Sequence, residues 1–229
     1  MAITFAAHQP CFAPWPGLFF KASKVDKLVL LDRVQFPTGF SWMNRNRIKG
    51  PAGPIWLTVP IYRKGRGLQT IDRVEVLDEL KWRRKHLLTF YHAYKSAPFF
   101  KGIYPFLEKT YLANFNRLLD LNMAIINFIA DTLGIRNKLV LQSSLGVENR
   151  GTCLITDLAK RLGADTFIAP RPAKAHLDTK VFIRQEINIK WLDYQPAIYP
   201  QLWGDFLKDL SSLDMLMCYG RYSKNILFE

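Results

Sequence analysis

An α/β fold organised on a mainly parallel sheet is what this 229-residue sequence predicts, and three observations predict it. Residues 27–31 (Lys-Leu-Val-Leu-Leu) form a short apolar run between charges, the pattern of a strand buried on both faces, as parallel strands are. Strand-like and helix-like segments alternate near both ends of the chain, over residues 4–31 and again over 138–169. Between them, residues 79–133 carry apolar side chains at three- and four-residue spacing, the mark of helices with one buried face.

Taken in order, residues 4–7 make a first strand and residues 17–26 about two helical turns before the buried strand. Residues 2–36 thus read as a βαβ unit whose first loop runs from His8 to Gly17. Residues 55–60 and 71–77 alternate and are rich in β-branched side chains, with the basic turn Arg63-Lys64-Gly65-Arg66-Gly67 between them, which predicts a small β-hairpin insertion. Residues 79–96 form a helix stopped at Ala97-Pro98, and residues 104–133 are long enough for two helices or one bent one. Together they make a central helical segment, a candidate subdomain over 79–135 within a single domain spanning 1–229. A strand over 138–142, a helix over 151–163 closed by Gly163 and a strand over 165–169 give a second βαβ unit, so the sheet is expected to be Rossmann-like. Residues 195–202 are irregular and broken by prolines, and a last helix over 213–218 ends at Gly220.

Lysine and arginine number 32 against 19 aspartates and glutamates, and the resulting +13 concentrates anionic ligands around whatever fold carries it. The basic residues are interleaved with tryptophan, proline and β-branched residues instead of forming a tail, which favours a phosphorylated small molecule over nucleic acid as the partner. No apolar run approaches the roughly 20 residues of a membrane span, and no leader-like segment opens the sequence, so a cytoplasmic location is expected. Cys11, Cys153 and Cys218 lie far apart, without metal-ligand spacing; neither a disulfide framework nor a metal site is expected, and buried free thiols are the plain reading.

Candidate chemistry concentrates in the first fifty residues. His8 ends the first strand, where sites of open α/β sheets lie; it can act as a general base near neutrality or as a donor to phosphate, or be a structural histidine. Pro14-Trp15-Pro16-Gly17 makes a rigid loop with an aromatic wall, Gly17 allowing an anion close to a helix start and Lys21 neutralising it one turn on. A proline-shaped turn packed by Trp15 and a solvated lysine are the plainer alternatives. Asp32 and Gln35 follow the buried strand and can bind a ribose, a sugar hydroxyl or an attacking amine, or Asp32 can cap the next turn. In residues 42–49 (Trp-Met-Asn-Arg-Asn-Arg-Ile-Lys), an extended chain sets Trp42, Asn44, Asn46 and Ile48 on one face and Met43, Arg45, Arg47 and Lys49 on the other. Three cations on one face suit a diphosphate, because the guanidinium fork grips phosphate or carboxylate with two hydrogen bonds; a solvated basic face is the alternative. Lys174, His176 and Asp178 follow the strand over 165–169, where His176 and Asp178 can pair as base and orienter or serve as caps. His86 and His92, six residues apart on a helix, read as packing or surface groups, and Asp214 reads as a helix-start residue.

The ordered elements HQP, PWPG, LDRVQF, WMNRNRIK, WLTVP, KHLLTFYHAY, APFF, SSLG, DLAKRLGADTFIAP, KAHLD, YPQLWGDF and LSSLDMLMCYG resemble those of the WbqC-like protein family, over nearly the whole chain. The chain departs from the family pattern at Cys11 and over 169–174. The resemblance implies a role in O-antigen or related cell-surface polysaccharide production, with acyl or aminoacyl (for instance glycine) transfer to the amino group of a nucleotide-linked amino sugar. In that reading Arg45, Arg47 and Lys49 hold the diphosphate, His8 takes the amine proton and Asp32 or Gln35 orients the amine. The His8 loop also resembles the nucleotide-binding loop of HIGH-signature nucleotidylyltransferases, without their second histidine. The cofactor stays open among ATP, an acyl group carried on CoA and a charged tRNA as donor. The alternative is a non-catalytic binding or assembly protein for a phosphorylated sugar or nucleic acid.

Overall fold

Apolar strands buried on both faces pair in parallel, and the computed structural model, which describes residues 2–77 and 80–228, has a five-stranded parallel sheet with the most buried strands inside it. In chain order the elements are β1 (Thr4–His8), α1 (Pro16–Ser23), β2 (Lys27–Leu30), β3 (Arg45–Gly50), β4 (Gly53–Thr58), α2 (Leu80–Tyr94), α3 (Phe100–Leu112) and α4 (Leu118–Leu133). There follow β5 (Leu139–Leu141), α5 (Gln142–Leu145), α6 (Gly151–Leu162), β6 (Thr166–Pro170), α7 (Thr179–Arg184), β7 (Asn188–Leu192), α8 (Ser212–Tyr219) and α9 (Ser223–Phe228). They group into two compact units, one made of Met1–Gln9, Gly17–Val34 and Ile135–Gln195, the other of Pro10–Pro16, Gln35–Gly134 and Pro196–Glu229.

The first unit is the parallel sheet, in the order β5-β2-β1-β6-β7. The chain starts at the centre, builds outward through β2 to β5, then crosses by α6 to β6 on the far side of β1, the doubly wound order of a Rossmann-like sheet. In register, His8 lies level with Leu30, Leu30 with Leu141, and Pro170 with Leu192, so the strand ends form one carboxyl edge. Phe5, Phe167 and Phe182 stack through the core, with ring centroids 5.0 and 5.7 Å apart, and Leu154 and Leu158 of α6 cover them. Gly163 closes α6 in the left-handed conformation, as its position after the apolar periodicity predicts. The edge strand β7, with its alternating polar residues, has no counterpart in the sequence reading.

The second unit joins the β3–β4 hairpin to α2, α3, α4, α8 and α9. The predicted hairpin between residues 55–60 and 71–77 is replaced by one closing at Gly50-Pro51-Ala52-Gly53, and Ile71–Arg73 is a 3-10 turn, with Ile61 and Val76 meeting in a single bridge. A two-residue turn, with Gly53 at φ 115°, brings its strands together with less loop entropy lost than the ten-residue connection over 61–70. Residues 104–133 form two helices, separated at Ala113–Arg117. A buried carboxylate organises this unit: Asp214 accepts hydrogen bonds from the Tyr94 and Tyr199 hydroxyls, 2.6 Å each, and Ser211 rather than Asp214 caps α8. Among the described residues no helix is long and apolar enough to cross a membrane.

Candidate functional site

The hairpin carries the densest array of ligand-competent groups. Its register sets Arg47 opposite Trp56 and Arg45 opposite Thr58, so both guanidinium groups emerge on one face while Asn46 and Ile48 turn inward and are buried. Trp42 and Phe40 fold onto the same face from the turn before β3. The Trp42 and Trp56 rings lie 5.6 Å apart, and Phe40 stands edge-on to both at 5.0 and 5.7 Å. The Arg45 guanidinium lies over Phe40 (5.2 Å) and Trp56 (6.0 Å), and that of Arg47 over Trp56 (5.6 Å). All three rings are about half exposed, at 54%, 41% and 46% for Phe40, Trp42 and Trp56, an expense of apolar surface that a solvated strand face does not require. Stacking fixes the planes of the guanidinium groups, and Arg47 also donates from Nη2 to the Asp209 carbonyl at 3.3 Å. Arg45 lines a cleft of 560 Å3 with Phe40, Asn44, Thr58 and Arg63; Arg47 lines another of the same volume with Pro196, Ile198, Phe206 and Leu207.

The other members of residues 42–49 hold the platform in place. Asn46 donates from Nδ2 to the Phe12 (3.3 Å) and Ala13 (2.7 Å) carbonyls, and its Oδ1 accepts from the Arg47 N–H (2.8 Å). Asn44 donates to the Val59 carbonyl at 3.0 Å. Asn122 plays the same part from α4, bridging the Pro10 and Met43 carbonyls. Lys49 differs from the expected third exposed cation: its side chain is buried, and the ammonium donates to the Gly204 (3.3 Å) and Asp205 (2.5 Å) carbonyls, near the Asp214 carboxylate. Burial drives the Tyr94 and Tyr199 hydroxyls well above their ordinary range and raises the Asp214 carboxyl, which the two tyrosines and Lys49 pull back. Residues 42–49 therefore divide into struts (Asn44, Asn46, Lys49) and presented groups (Trp42, Arg45, Arg47).

In the first unit, His8 closes β1 at the carboxyl edge, on the strand where the winding of the sheet reverses. Its Nδ1–H donates to the Gln9 carbonyl (2.8 Å), leaving Nε2 as the acceptor nitrogen. Burial first, and the Lys21 ammonium second, push the imidazole down to about 3. Burial thus keeps the imidazole neutral, where the sequence reading allowed a base near neutrality, a phosphate donor or a structural histidine. Lys21 is buried, not solvated, and donates to the Ala7 carbonyl at 2.8 Å. Gly17 is buried in the first turn of α1, directly after Pro16. Asp32 is 1% exposed and accepts from the Ser143 N–H (2.9 Å), so it ties the end of β2 to the start of α5 in the manner of a cap.

The remaining candidates are divided between the two units. Gln35 is exposed, belongs to the second unit and bridges Thr70. Trp15 is half-buried in the second unit. Lys174 and His176 are exposed on the 3-10 segment after β6. Asp178 caps α7 by accepting from the Lys180 N–H (3.0 Å), and no hydrogen bond joins it to His176 among the described residues. His86 is a packing residue, pressed between Trp82 and Tyr111, whereas His92 is exposed. Cys11 and Cys218 are buried thiols and Cys153 is an exposed one. Among the described residues no three His, Cys, Asp or Glu side chains gather as a metal site. Phe40 and Trp56 were missed by sequence reasoning; their signal was an aromatic residue on the outward phase of an alternating strand and another three residues before Met43.

Comparison with known proteins agrees with this architecture in extent. A curated relative, the uncharacterized protein Rv1507c of Mycobacterium tuberculosis (strain ATCC 25618 / H37Rv), is 32% identical over 224 residues, covering 97% of this chain and 96% of its own. No solved structure matches. The family model for WbqC-like proteins matches residues 9–226, a span that takes in the hairpin platform, the strand struts and the Asp214 network alike, and the chain belongs to the WbqC-like protein family.

Proposed function

We propose that the protein binds a nucleotide-linked amino sugar and transfers an acyl or aminoacyl group to its amino nitrogen, in the cytoplasmic stage of surface polysaccharide production. The observation that carries the reading is the Phe40–Trp42–Trp56 array with Arg45 and Arg47 stacked on it. Aromatic faces stack a nucleobase or the apolar face of a sugar, while guanidinium groups held in plane grip a diphosphate bidentately. In the transfer the amine attacks the acyl carbonyl, the amide C–N bond forms, the donor's leaving group departs and the amine proton passes to a base. The low proton affinity of the buried His8 imidazole favours a second reading, a binding protein that presents the sugar to partner enzymes.

Titration with a UDP-linked amino sugar, read by tryptophan fluorescence and calorimetry, tests the site. Arg45→Ala/Arg47→Ala should weaken binding more than tenfold with the fold intact, and unchanged binding removes the assignment. Incubation with the same sugar, glycine and ATP then reads mass gain on the sugar and release of AMP or ADP. Tight binding with no product from any activated donor selects the second reading.

A further inference from the structure

The outer face of α2 has no part in the platform, and its composition is one-sided. Leu80–Tyr94 contains no aspartate or glutamate. At about 100° per residue, Lys81, Arg84, Lys85 and His92, with Lys95 just beyond the helix, fall within a stripe roughly 100° wide, and Leu88 lies inside it. All six are exposed, while Trp82, Arg83, His86, Phe90 and Tyr94 occupy the opposite, buried side. The stripe is about 21 Å long, at 1.5 Å per residue. It borders a cleft of 870 Å3 lined by Lys81, Arg84, Lys85 and Leu88 and, from the hairpin, by Pro51 and Ile55.

From this we infer that the α2 face is a docking surface for folded RNA, with the phosphodiester backbone along the cationic stripe and an unstacked loop base in the cleft. Charge complementarity chooses the partner: Lys81, Arg84, Lys85 and Lys95 on one face, without an intervening acid, match a row of phosphates. The cleft narrows it. A duplex keeps its bases paired and stacked, whereas RNA loops splay bases out, and a cleft lined by cations together with Ile55 and Leu88 accommodates one. The inference stands apart from the transfer reading, since RNA can bind here whether or not a sugar is modified.

The test uses the full chain and bulk uncharged tRNA, followed by fluorescence anisotropy from 50 to 300 mM KCl. Lys81→Ala/Arg84→Ala/Lys85→Ala should weaken binding roughly 10²-fold at 100 mM and lower the slope of log K against log salt by about 2.7, near 0.9 per phosphate contact. Lys160→Ala/Lys180→Ala/Lys190→Ala, which removes three exposed lysines of the first unit, should stay within threefold of the parent. Circular dichroism checks that both variants are folded. Equal losses in the two variants mean that net charge alone attracts RNA, and a loss under threefold in the α2 variant means that the stripe does not bind it; either overturns the inference. So does sedimentation with phosphatidylglycerol vesicles that depends on the stripe while tRNA binding does not.

Discussion

Replacing Asn46 by alanine should unfold the platform's support while leaving its cations in the sequence. The side chain is 3% exposed and satisfies three main-chain groups: the carbonyls of Phe12 and Ala13 and the N–H of Arg47. Each of the three main-chain groups left without its partner costs about 1–3 kcal/mol, and toward the lower end of that range the gross loss is about 4 kcal/mol. Ala13 sits at φ 42°, and its freed carbonyl would let this segment relax, returning about 1 kcal/mol. The net expectation is a loss of about 3 kcal/mol, read as a shift of the urea midpoint of the tryptophan-fluorescence transition. Asn46→Asp keeps the acceptor for the Arg47 N–H but turns a carboxylate toward two carbonyls, so it should be at least as harmful. Arg45→Ala, at a half-exposed position, should change stability by about 0.5 kcal/mol. A loss below about 1 kcal/mol in Asn46→Ala, or an equal loss in Arg45→Ala, would refute the division of this stretch into struts and presented groups.

Further outcomes follow from the buried polar groups and one glycine. His86 has its imidazole pushed down to about 4 by burial, so the unfolded chain takes up a proton below its ordinary 6.5 and the folded chain does not. The associated stability is present above pH 6.5 and lost as pH falls toward 4, by about 1.4 kcal/mol per pH unit; His86→Phe, which cannot titrate, should flatten the urea midpoint against pH by that amount, and an unchanged slope would count against it. Asp214→Ala leaves the buried Tyr94 and Tyr199 hydroxyls without their common acceptor and removes the carboxylate near the Lys49 ammonium, and a loss of about 3–5 kcal/mol is expected in the same urea assay. At Gly220, φ is 57° and an added Cβ would meet the Phe99 ring, so Gly220→Ala should lower stability by about 2–4 kcal/mol, measured by calorimetry.

Parallel strands were legible because double-sided burial leaves a plain trace: residues 28–31 are apolar without alternation, and β2 is indeed flanked by β1 and β5. Periodicity likewise marked α2, α3, α4 and α6, whose apolar stripes must face a core. The hairpin was misplaced because alternation alone does not choose a partner. Residues 55–60 could pair forward with 71–77 or back with 45–50, and the short Pro51-Ala52 turn decided it.

At the site the limit was of another kind. Amino-acid type told which groups can grip an anion, and alternation told that Arg45 and Arg47 share a face, so the cationic nature of the hairpin was determined by sequence alone. Whether a polar side chain meets a ligand or a main-chain carbonyl depends on what lies opposite it, and that neighbour comes from a distant part of the chain. Lys49 meets residues 204 and 205, Asn46 meets 12 and 13, Asp32 meets 143, and Phe40 and Trp56 become neighbours only when the hairpin closes. Those long-range pairings, with the burial that holds His8 neutral, were decided by tertiary structure, because desolvation and hydrogen-bond partners belong to packing and not to residue type.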